Sequence, residues 1–304
     1  MPRGHQAQHP FPRRSLPTLA VGLILDASNT KAWAAADEPT TRAKAAIRAI
    51  EVRNGGRLGV VALDTGSGRW VTWRANERFP MCSTYKLLVG AAILARADCG
   101  EINLAQTVPF GPADLLDYAP VTRKALRESS SMTVAALCAA AIRWSDNTAG
   151  NLLLGLLGGP ASWTAYVRSI GDSVSRLDRT EPALNEAAPG DPRDTTTPAA
   201  MLHDVHTLLL GNALSAKSRA GLEAMMADNE LTNGLLHAGL PTGWRVADKS
   251  GAGERGTRND VGIIRPPSGA PILISVFYTG SERPMTAQNA VIADVARAAI
   301  SMAG

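Results

Sequence analysis

The chain has 304 residues, of which 45% are apolar and 5% aromatic, and it carries 31 basic against 27 acidic side chains. This composition excludes an intrinsically disordered chain, a collagen-like repeat and a coiled coil, because each of these would distort those fractions. Of the net charge of +4, +3 lies in residues 1–36, so the remainder lacks the sustained basic face that nucleic-acid binding requires. Three cysteines without a CxxC pair indicate neither a zinc ribbon nor a disulfide framework.

Residues 1–36 have the pattern of an export signal. Arg13 and Arg14 precede an apolar stretch over 16–25, and small residues gather at 32–36. The apolar stretch is shorter than the ~20 residues of a spanning helix, so we expect a signal peptide cleaved after Ala36 and no membrane anchor. The adjacent arginines leave general and twin-arginine export both open. The mature chain is expected to be exported to the periplasm or secreted.

The remaining chain passes from strand-like to helix-like segments and back. Apolar residues at helical spacing predict a helix over 40–53, and two β-rich segments over 57–64 and 69–74 predict a hairpin. Segments rich in alanine and leucine predict helices over 83–97, 133–144, 149–157 and 198–210. Three predicted strands and a closing helix follow over 245–250, 259–265, 272–278 and 287–302.

This order predicts an α/β (α+β) fold with one five-stranded antiparallel sheet flanked by N- and C-terminal helices. Residues 37–80 and 228–304 would form the sheet domain, and residues 81–227 an inserted all-helical domain. Within the helical part, the stretch over 176–194 is rich in prolines and charges and fits neither a helix nor a strand. Irregular stretches of this length are usually functional.

Ser83 and Lys86 form an SxxK motif at the predicted start of a helix. Residues three apart share a helix face, so the amine can reach the hydroxyl. A serine needs such a base because it is a poor nucleophile at its free pKa, and free N–H groups at a helix start can stabilise an oxyanion. A helix-capping serine beside a solvated lysine is the ordinary alternative, and the motif alone leaves both open.

Two further triplets follow along the chain. Ser145 and Asn147 belong to an SDN triplet after a predicted helix, where such residues are also favoured as caps. Lys249, Ser250 and Gly251 close a predicted strand, where an edge lysine and a glycine turn are ordinary. Each triplet alone favours a structural role, but their occurrence together with SxxK indicates a shared site.

The irregular stretch contains a candidate water-activating pair. Glu181 and Asn185 are four residues apart, so one helical turn would direct both side chains at one water molecule. A carboxylate and a carboxamide suit general-base chemistry, whereas a surface loop with scattered polar groups is the alternative.

Other motifs do not support a cofactor or metal site. Residues 251–256 match GxGxxG, but a predicted strand follows where a dinucleotide site needs a helix. His203 and His206 lie three apart without a third ligand. Cys82, beside Ser83, is expected to be a buried thiol. We therefore expect no cofactor and no metal.

Together, the three motifs and the Glu181/Asn185 pair resemble those of the class A serine β-lactamases. Segments 79–86, 145–149 and 248–256 are similar to the TEM-type penicillinases, nearly letter for letter in the last segment. The resemblance covers the whole mature chain and its order of sheet, helices and sheet. It implies the fold of serine β-lactamases and penicillin-binding proteins, a small-molecule β-lactam as the binding partner, and a monomer.

The resemblance also implies catalytic roles. Ser83 would form an acyl-enzyme, with Lys86 or Glu181 acting through water as the base. Ser145 would relay a proton to the lactam nitrogen, and the N–H groups of Ser83 and Ala252 would form the oxyanion hole. Glu181 would then activate the water that releases the acyl group.

Further residues are implied to bind the substrate or to shape the site. Lys249, which the resemblance also makes catalytic, would hold the substrate carboxylate. The substrate-binding residues implied are Tyr118, Asn147, Asn185, Ser250, Gly251 and Arg258. Arg179 and Asp194 would pair across the neck of the Glu181 loop, and the Glu181–Pro182 bond is expected to be cis.

Two departures from relatives concern cysteines. Cys138 matches one position of a disulfide that many relatives have, but Gly90 stands where its partner would be. Carbapenem-hydrolysing relatives often link the residue corresponding to Cys82 to a cysteine where this chain has Gly253. We therefore expect free thiols and no special carbapenemase activity.

Substrate preference follows from the same comparison. Gly253, Glu254, Arg258 and an intact Arg179 favour penicillins and early cephalosporins over bulky oxyimino compounds. The nearest alternative function is a penicillin-binding DD-peptidase or a β-lactam sensor domain, which shares the three motifs and acylates without turnover. The pairing of Glu181 with an asparagine four residues on decides against it. A non-catalytic binding protein would tolerate loss of the motif residues, and none is lost.

Overall fold

A computed structural model describes residues 38–229 and 231–303. The helices in chain order are α1 (Glu38–Asn54), α2 (Tyr85–Asp98), α3 (Pro120–Glu128), α4 (Val134–Arg143), α5 (Asn147–Leu157), α6 (Pro160–Ser169), α7 (Pro198–Leu209), α8 (Ala216–Ala227) and α9 (Met285–Ile300). The strands are β1 (Arg57–Asp64), β2 (Trp70–Trp73), β3 (Phe79–Pro80), β4 (Thr107–Pro109), β5 (Ser131–Thr133), β6 (Thr195–Thr196), β7 (Arg245–Gly253), β8 (Thr257–Arg265) and β9 (Ile272–Thr279). The predicted signal peptide lies outside the described residues.

The main sheet has the strand order β2-β1-β9-β8-β7 and is antiparallel throughout. Each face of the sheet lies in its own apolar core. Leu273 and Phe277 of β9 join the helices α2 and α4 to α8 on one side, and Ile272, Ile274 and Val276 join α1 and α9 on the other. Because both faces are buried, β9 is apolar almost without interruption instead of alternating.

Helix α2 forms the centre of the helical part. All ten residues from its start to Leu94 are buried, including Lys86, so the helix has no polar face. Gly90 allows a close approach to α4, since a Cβ there would lie 2.7 Å from Ile142 Cδ1. The buried start of α2 meets the edge strand β7 of the sheet, because β7 packs against residues 82–84.

The predicted fold class is confirmed, including the five-stranded antiparallel sheet and the flanking terminal helices. The predicted helix over 83–97 is wrong at its start. Cys82–Thr84 form a 3-10 turn, which begins with a left-handed φ of 47° at Cys82, and the α-helix begins at Tyr85. The domain boundaries stay a prediction.

Apolar periodicity did not predict three of the helices. Helix α3 is mostly polar and exposed, α6 mixes aromatic and β-branched residues after a proline, and α8 buries few side chains. The stretch over 176–194 is irregular as predicted except for a 3-10 turn at Ala183–Asn185. Across the described parts of the chain, no helix has the length and apolar character needed to cross a membrane.

Candidate active site

Ser83 lies in the 3-10 turn that joins β3 to α2, and it is 8% exposed. The neighbouring edge of β7 approaches its backbone closely. A Cβ on Gly251 would lie 2.9 Å from the Met81 carbonyl oxygen and 3.3 Å from the Ser83 nitrogen. Glycine at position 251 therefore lets the strand lie alongside the serine, so that the two elements form one wall of a site.

Lys86, three residues after Ser83, is fully buried, and its ammonium group is the centre of a hydrogen-bond network. Nζ donates to Ser83 Oγ at 2.9 Å, to the Ser145 carbonyl at 2.8 Å and to Asn147 Oδ1 at 2.6 Å. Nζ also lies 2.9 Å from Glu181 Oε1. The SxxK spacing thus brings amine and hydroxyl together as predicted, and the lysine bridges three separate elements.

Space for the lysine comes from α5. A Cβ on Gly150 would lie 2.9 Å from Lys86 Cε and 2.7 Å from the Tyr85 hydroxyl. Any larger residue at this position would displace the lysine side chain. Gly150 is therefore a site-forming residue that the sequence motifs did not reveal.

Ser145 occupies the tight connection between α4 and α5, with a left-handed φ of 54°. Such a conformation costs about 1–3 kcal/mol in a residue other than glycine and persists only where neighbours enforce it. Asp146 is the enforcing neighbour. Its buried carboxylate caps α5 by accepting from Ala149 N at 2.9 Å and also accepts from the backbone of Val121 and Thr122 at 2.9 Å.

Lys249 on β7 reaches the same connection from the sheet. Its fully buried Nζ donates to Ser145 Oγ at 3.1 Å and to the Ser250 carbonyl at 2.8 Å. Burial, followed by the nearby Lys86 cation, lowers the pKa of Lys249 to about 7. Burial also lowers the pKa of Lys86, although the carboxylate of Glu181 opposes that shift. The site therefore contains two amines that can change protonation state far more easily than lysines in water.

Glu181 enters the site from the loop over 176–194, and α5 fixes its backbone. Asn151 Nδ2 donates to the Glu181 carbonyl at 2.9 Å, and Asn151 Oδ1 accepts from Glu181 N at 3.0 Å. The side chain lies 3.4 Å from Ser83 Oγ and accepts from Asn185 Nδ2 at 2.5 Å. The Glu181–Pro182 bond is cis as predicted. Glutamate and asparagine thus face one point beside the serine.

The two ends of this loop are tied together at its neck. The Arg179 guanidinium pairs with Asp194 and with Glu186, each at 2.5 Å. Asp194 Oδ1 also accepts from the backbone N–H groups of Asp178 at 2.7 Å and Arg179 at 2.9 Å. Because Asp194 is 1% exposed, its carboxylate depends on hydrogen bonds from the opposite side of the neck, which the Asp178 and Arg179 backbone and the Arg179 side chain supply. The predicted pairing of Arg179 with Asp194 is present.

The remaining predicted residues surround this centre. Tyr118 is 46% exposed and its carbonyl accepts from Asn147 N at 3.0 Å, which places it at the rim. Arg258 on the neighbouring strand β8 is buried, and its Nε donates to Asn289 Oδ1 at 2.8 Å and its Nη1 to the Gly251 carbonyl at 3.4 Å. Ala252 continues β7 beyond Gly251.

Comparisons with known proteins agree on one family. The model of the β-lactamase enzyme family matches residues 42–302. A structure of an ancestral class A β-lactamase is 54% identical over 85% of this chain and 98% of its own, with a TM-score of 0.83. The class A β-lactamase of the last common ancestor of Gram-negative bacteria is 54% identical over 86% of this chain and 99% of its own, with a TM-score of 0.84. PenP from Rhodopseudomonas palustris is 48% identical over 84% and 97%, with a TM-score of 0.82.

The chain belongs to the class A β-lactamases. It is therefore a serine enzyme that hydrolyses β-lactams. Two residues of this β-lactamase that support the site, Asp146 and Asn151, were not assigned roles from the sequence. A signal for Asn151 was present, because it lies four residues after Asn147 and so on the same face of α5.

The cysteines and acids of this β-lactamase offer no alternative centre. Cys82 and Cys138 are buried and Cys99 is exposed, all as free thiols. Burial raises the pKa of Cys82 and brings that of Cys138 to about 12, so neither buried thiol is a ready nucleophile. In the part of the chain that the structure describes, no group of three or more His, Cys, Asp or Glu is placed to hold a metal ion.

Proposed function

We propose that this β-lactamase opens penicillins and early cephalosporins through an acyl-enzyme on Ser83, and that a water activated by Glu181 releases the product. The observation that carries the proposal is the placement of Lys86 and Glu181. Both are fully buried, they lie 2.9 Å apart, and both are within 3.4 Å of Ser83 Oγ. A nucleophile with two such neighbours fits acyl transfer followed by hydrolysis.

In acylation, Ser83 Oγ forms a bond to the lactam carbonyl carbon and the C–N bond of the ring breaks. The Ser83 proton goes to Lys86, or through a water to Glu181. Lys86 can accept it only after giving up a proton itself, and Glu181 Oε1 at 2.9 Å is the acceptor at hand. Burial lowers the pKa of Lys86 and so makes this transfer easier.

The leaving nitrogen receives its proton through Ser145, whose hydroxyl is held by Lys249 at 3.1 Å. The N–H groups of Ser83 and Ala252 would stabilise the oxyanion, a type of donor worth about 3 kcal/mol each. The close packing of Gly251 on the Ser83 nitrogen supports this arrangement, since it holds β7 beside the serine.

In deacylation, Glu181 removes a proton from a water that attacks the acyl carbonyl, and the proton returns to Ser83 Oγ as the ester bond breaks. Asn185 shares this water and fixes the glutamate by a hydrogen bond to Oε2. The Asn185 Oδ1 atom is buried and accepts no hydrogen bond from the described residues, so it is free to accept one from the water.

Substrate recognition follows from charge and space. Lys249, Ser250 and Arg258 would hold the substrate carboxylate, Asn147 the side-chain amide, and Tyr118 the rim. Lys249 on β7 and Arg258 on the adjacent β8 are buried cationic groups, and their charge favours an anionic substrate.

The preference for small side chains is supported by the contact between β7 and the Glu181 loop. Glu254 N donates to the Asn185 carbonyl at 2.9 Å, and a Cβ on Gly253 would lie 2.9 Å from the same oxygen. The loop therefore closes directly on the strand, which leaves little room for a bulky oxyimino group. We also propose export to the periplasm or secretion, and a monomeric state, which cell fractionation and size-exclusion chromatography test.

The alternative is a DD-peptidase or sensor domain that acylates without turnover. Multiple-turnover hydrolysis of benzylpenicillin by the purified mature chain decides between them, with Ser83→Ala as the control. We expect many turnovers per enzyme, abolished in Ser83→Ala. A single stoichiometric burst that stalls would assign the chain to the alternative, because it would mean that Glu181 does not deacylate.

A further inference from the structure

A second group of buried acids lies outside the active site, between α7 and the chain that follows α6. Asp204 is fully buried and Asp172 is 3% exposed. Neither carboxylate oxygen of Asp204 accepts a hydrogen bond from the described residues, and the same is true of Asp172 Oδ2. The two side chains lie next to each other, since His203 on α7 contacts the Ile170 carbonyl just before Asp172 and Asp172 acts directly on the Asp204 carboxyl group. Two carboxyl groups can share a hydrogen bond only if one of them keeps a proton.

Asp172 is the member that remains an anion, because donors surround its other oxygen. Asp172 Oδ1 accepts from Val174 N at 2.6 Å and from Ser175 N at 3.0 Å. The Arg168 guanidinium on α6 lies 4.0 Å from the same oxygen and donates to the Asp172 carbonyl. Asp204 has no such donors among the described residues, so the proton belongs to Asp204.

The other titratable groups near Asp204 do not change this assignment. From α6, the fully buried Tyr166 faces it and Arg168 lies on the side of Asp172. On α7 itself, His203 points away, with Nε2 at 3.2 Å from the Ile170 carbonyl. Burial and the charge of Asp172 raise the pKa of Asp204 well above its usual range, although the charge of Arg168 acts against this shift.

Tyr166 has a further acid at its other side. Burial raises the pKa of the Tyr166 phenol, and the Asp98 carboxylate at the end of α2 adds to this shift, so the phenol stays neutral. The Asp98 carboxylate is satisfied by Ser215 and Ser218 at 2.7 Å. It therefore needs no proton from the Asp204 pair.

Asp172 holds the segment that leads into the Glu181 loop. Beyond the two N–H groups it binds, Ser175 Oγ hydrogen-bonds to Thr196 Oγ1 at 2.6 Å at the far end of that loop. Arg78, which leads into β3 and so toward Ser83, donates to the Val174 carbonyl at 3.2 Å and to Thr195 Oγ1 at 3.0 Å. One short segment thus touches both chain ends of the Glu181 loop and the approach to Ser83.

We propose that Asp204 is a positioning residue, whose neutral carboxyl group donates a hydrogen bond to Asp172 and thereby fixes the base of the Glu181 loop for deacylation. The catalytic part of this inference rests on the proposed function, whereas the retained proton does not. The proton and the positioning are therefore tested separately.

The retained proton is tested by the stability of Asp204→Asn as a function of pH. Asparagine has the shape of the neutral acid and donates to Asp172 without titrating. The wild-type protein must keep a proton on folding that its unfolded chain loses above about pH 4. Its stability relative to Asp204→Asn therefore falls as pH rises, and the ratio of the two unfolding constants should change by up to about tenfold per pH unit.

The ratio is measured by urea unfolding of both proteins between pH 5 and 8. A constant ratio over this range would overturn the retained proton. Asp172→Asn supplies a second variant, because it removes the negative neighbour and should reduce the pH dependence relative to Asp172→Asn/Asp204→Asn. An undiminished dependence would show that burial alone, and not Asp172, holds the proton on Asp204.

Positioning is tested by deacylation of a penicilloyl adduct in Asp204→Asn and Asp204→Leu. Leucine has a similar size but donates nothing, so Asp172 loses its partner. We expect Asp204→Asn to deacylate at the wild-type rate with a wild-type pH profile. We expect deacylation in Asp204→Leu to be ~10–100-fold slower. Because the adduct then accumulates, kcat and KM of this variant should fall together.

A wild-type deacylation rate in folded Asp204→Leu would overturn the positioning role, and so would slow deacylation in Asp204→Asn. If Asp204→Leu does not fold, Asp204→Asn still decides. A failure of the proposed function would look different, because the wild-type protein itself would then accumulate adduct while the unfolding ratio kept its pH dependence.

Discussion

Replacing Glu181 with glutamine separates the two halves of the proposed reaction. The change keeps the size of the side chain and an oxygen near Ser83, but it removes the only buried carboxylate within hydrogen-bond distance of both Ser83 and Lys86 in the described chain. General-base catalysis contributes about 10²–10⁴-fold. We therefore expect deacylation to slow by that factor, while acylation continues and the adduct accumulates.

The structure explains why acylation should survive the change. Losing one partner of a buried ion pair costs about 3–5 kcal/mol when the other charge stays in place. Lys86 does not have to stay charged, because burial already lowers its pKa and the loss of Glu181 removes the group that opposes this shift. A neutral Lys86 at 2.9 Å can accept the Ser83 proton directly. The stability cost should accordingly fall below that range.

The assay combines two measurements on Glu181→Gln. Mass spectrometry detects the benzylpenicilloyl adduct on Ser83, and the burst of hydrolysis gives one product per enzyme before it stalls. Asp191→Asn is the matched control, because Asp191 belongs to the same loop but among the described residues its side chain pairs only with the exposed Arg193. The reasoning is refuted if Glu181→Gln turns over benzylpenicillin as fast as the control.

Three further predictions follow from the site and its surroundings. Because burial lowers the pKa of Lys249 to about 7, its charge is lost as pH rises, so kcat/KM for an anionic penicillin should fall on the alkaline side. In Lys249→Arg that decline should move upward by at least a unit, and an unmoved profile would assign it to another group. Arg179→Ala leaves the buried Asp194 without its partner and should lower stability by ~1–3 kcal/mol in urea unfolding and slow deacylation, so wild-type values for both would contradict the role of the neck. A thiol-alkylating reagent should label only Cys99 in the native protein and all three cysteines after denaturation, and two unlabelled cysteines under denaturing conditions would indicate a disulfide.

The sheet was predictable from the sequence, and its lateral order was not. Residues of high β propensity between turn residues predict strands over 245–250, 259–265 and 272–278. β1 pairs with β9 although the two strands are far apart in the chain: Thr65 and Pro271, which lie next to this pair of strands, are 206 residues apart and hydrogen-bonded. The pairing depends on the burial of both sheet faces by helices from distant parts of the chain. No local pattern contains that information, so the sequence predicted a five-stranded antiparallel sheet without the lateral order of its strands.

The same distinction explains which site residues the sequence revealed. Ser83 and Lys86 lie on one turn, so their chemistry is visible in their spacing. Asn151 hydrogen-bonds to the backbone of Glu181, thirty residues away, so its contribution to the site arises only once the loop is folded. The acid pair of Asp172 and Asp204 goes further, since neither residue touches the reacting groups and nothing in the spacing marks them. Buried acids are costly without partners. We infer that this pair is kept because it fixes the base of the loop that carries Glu181.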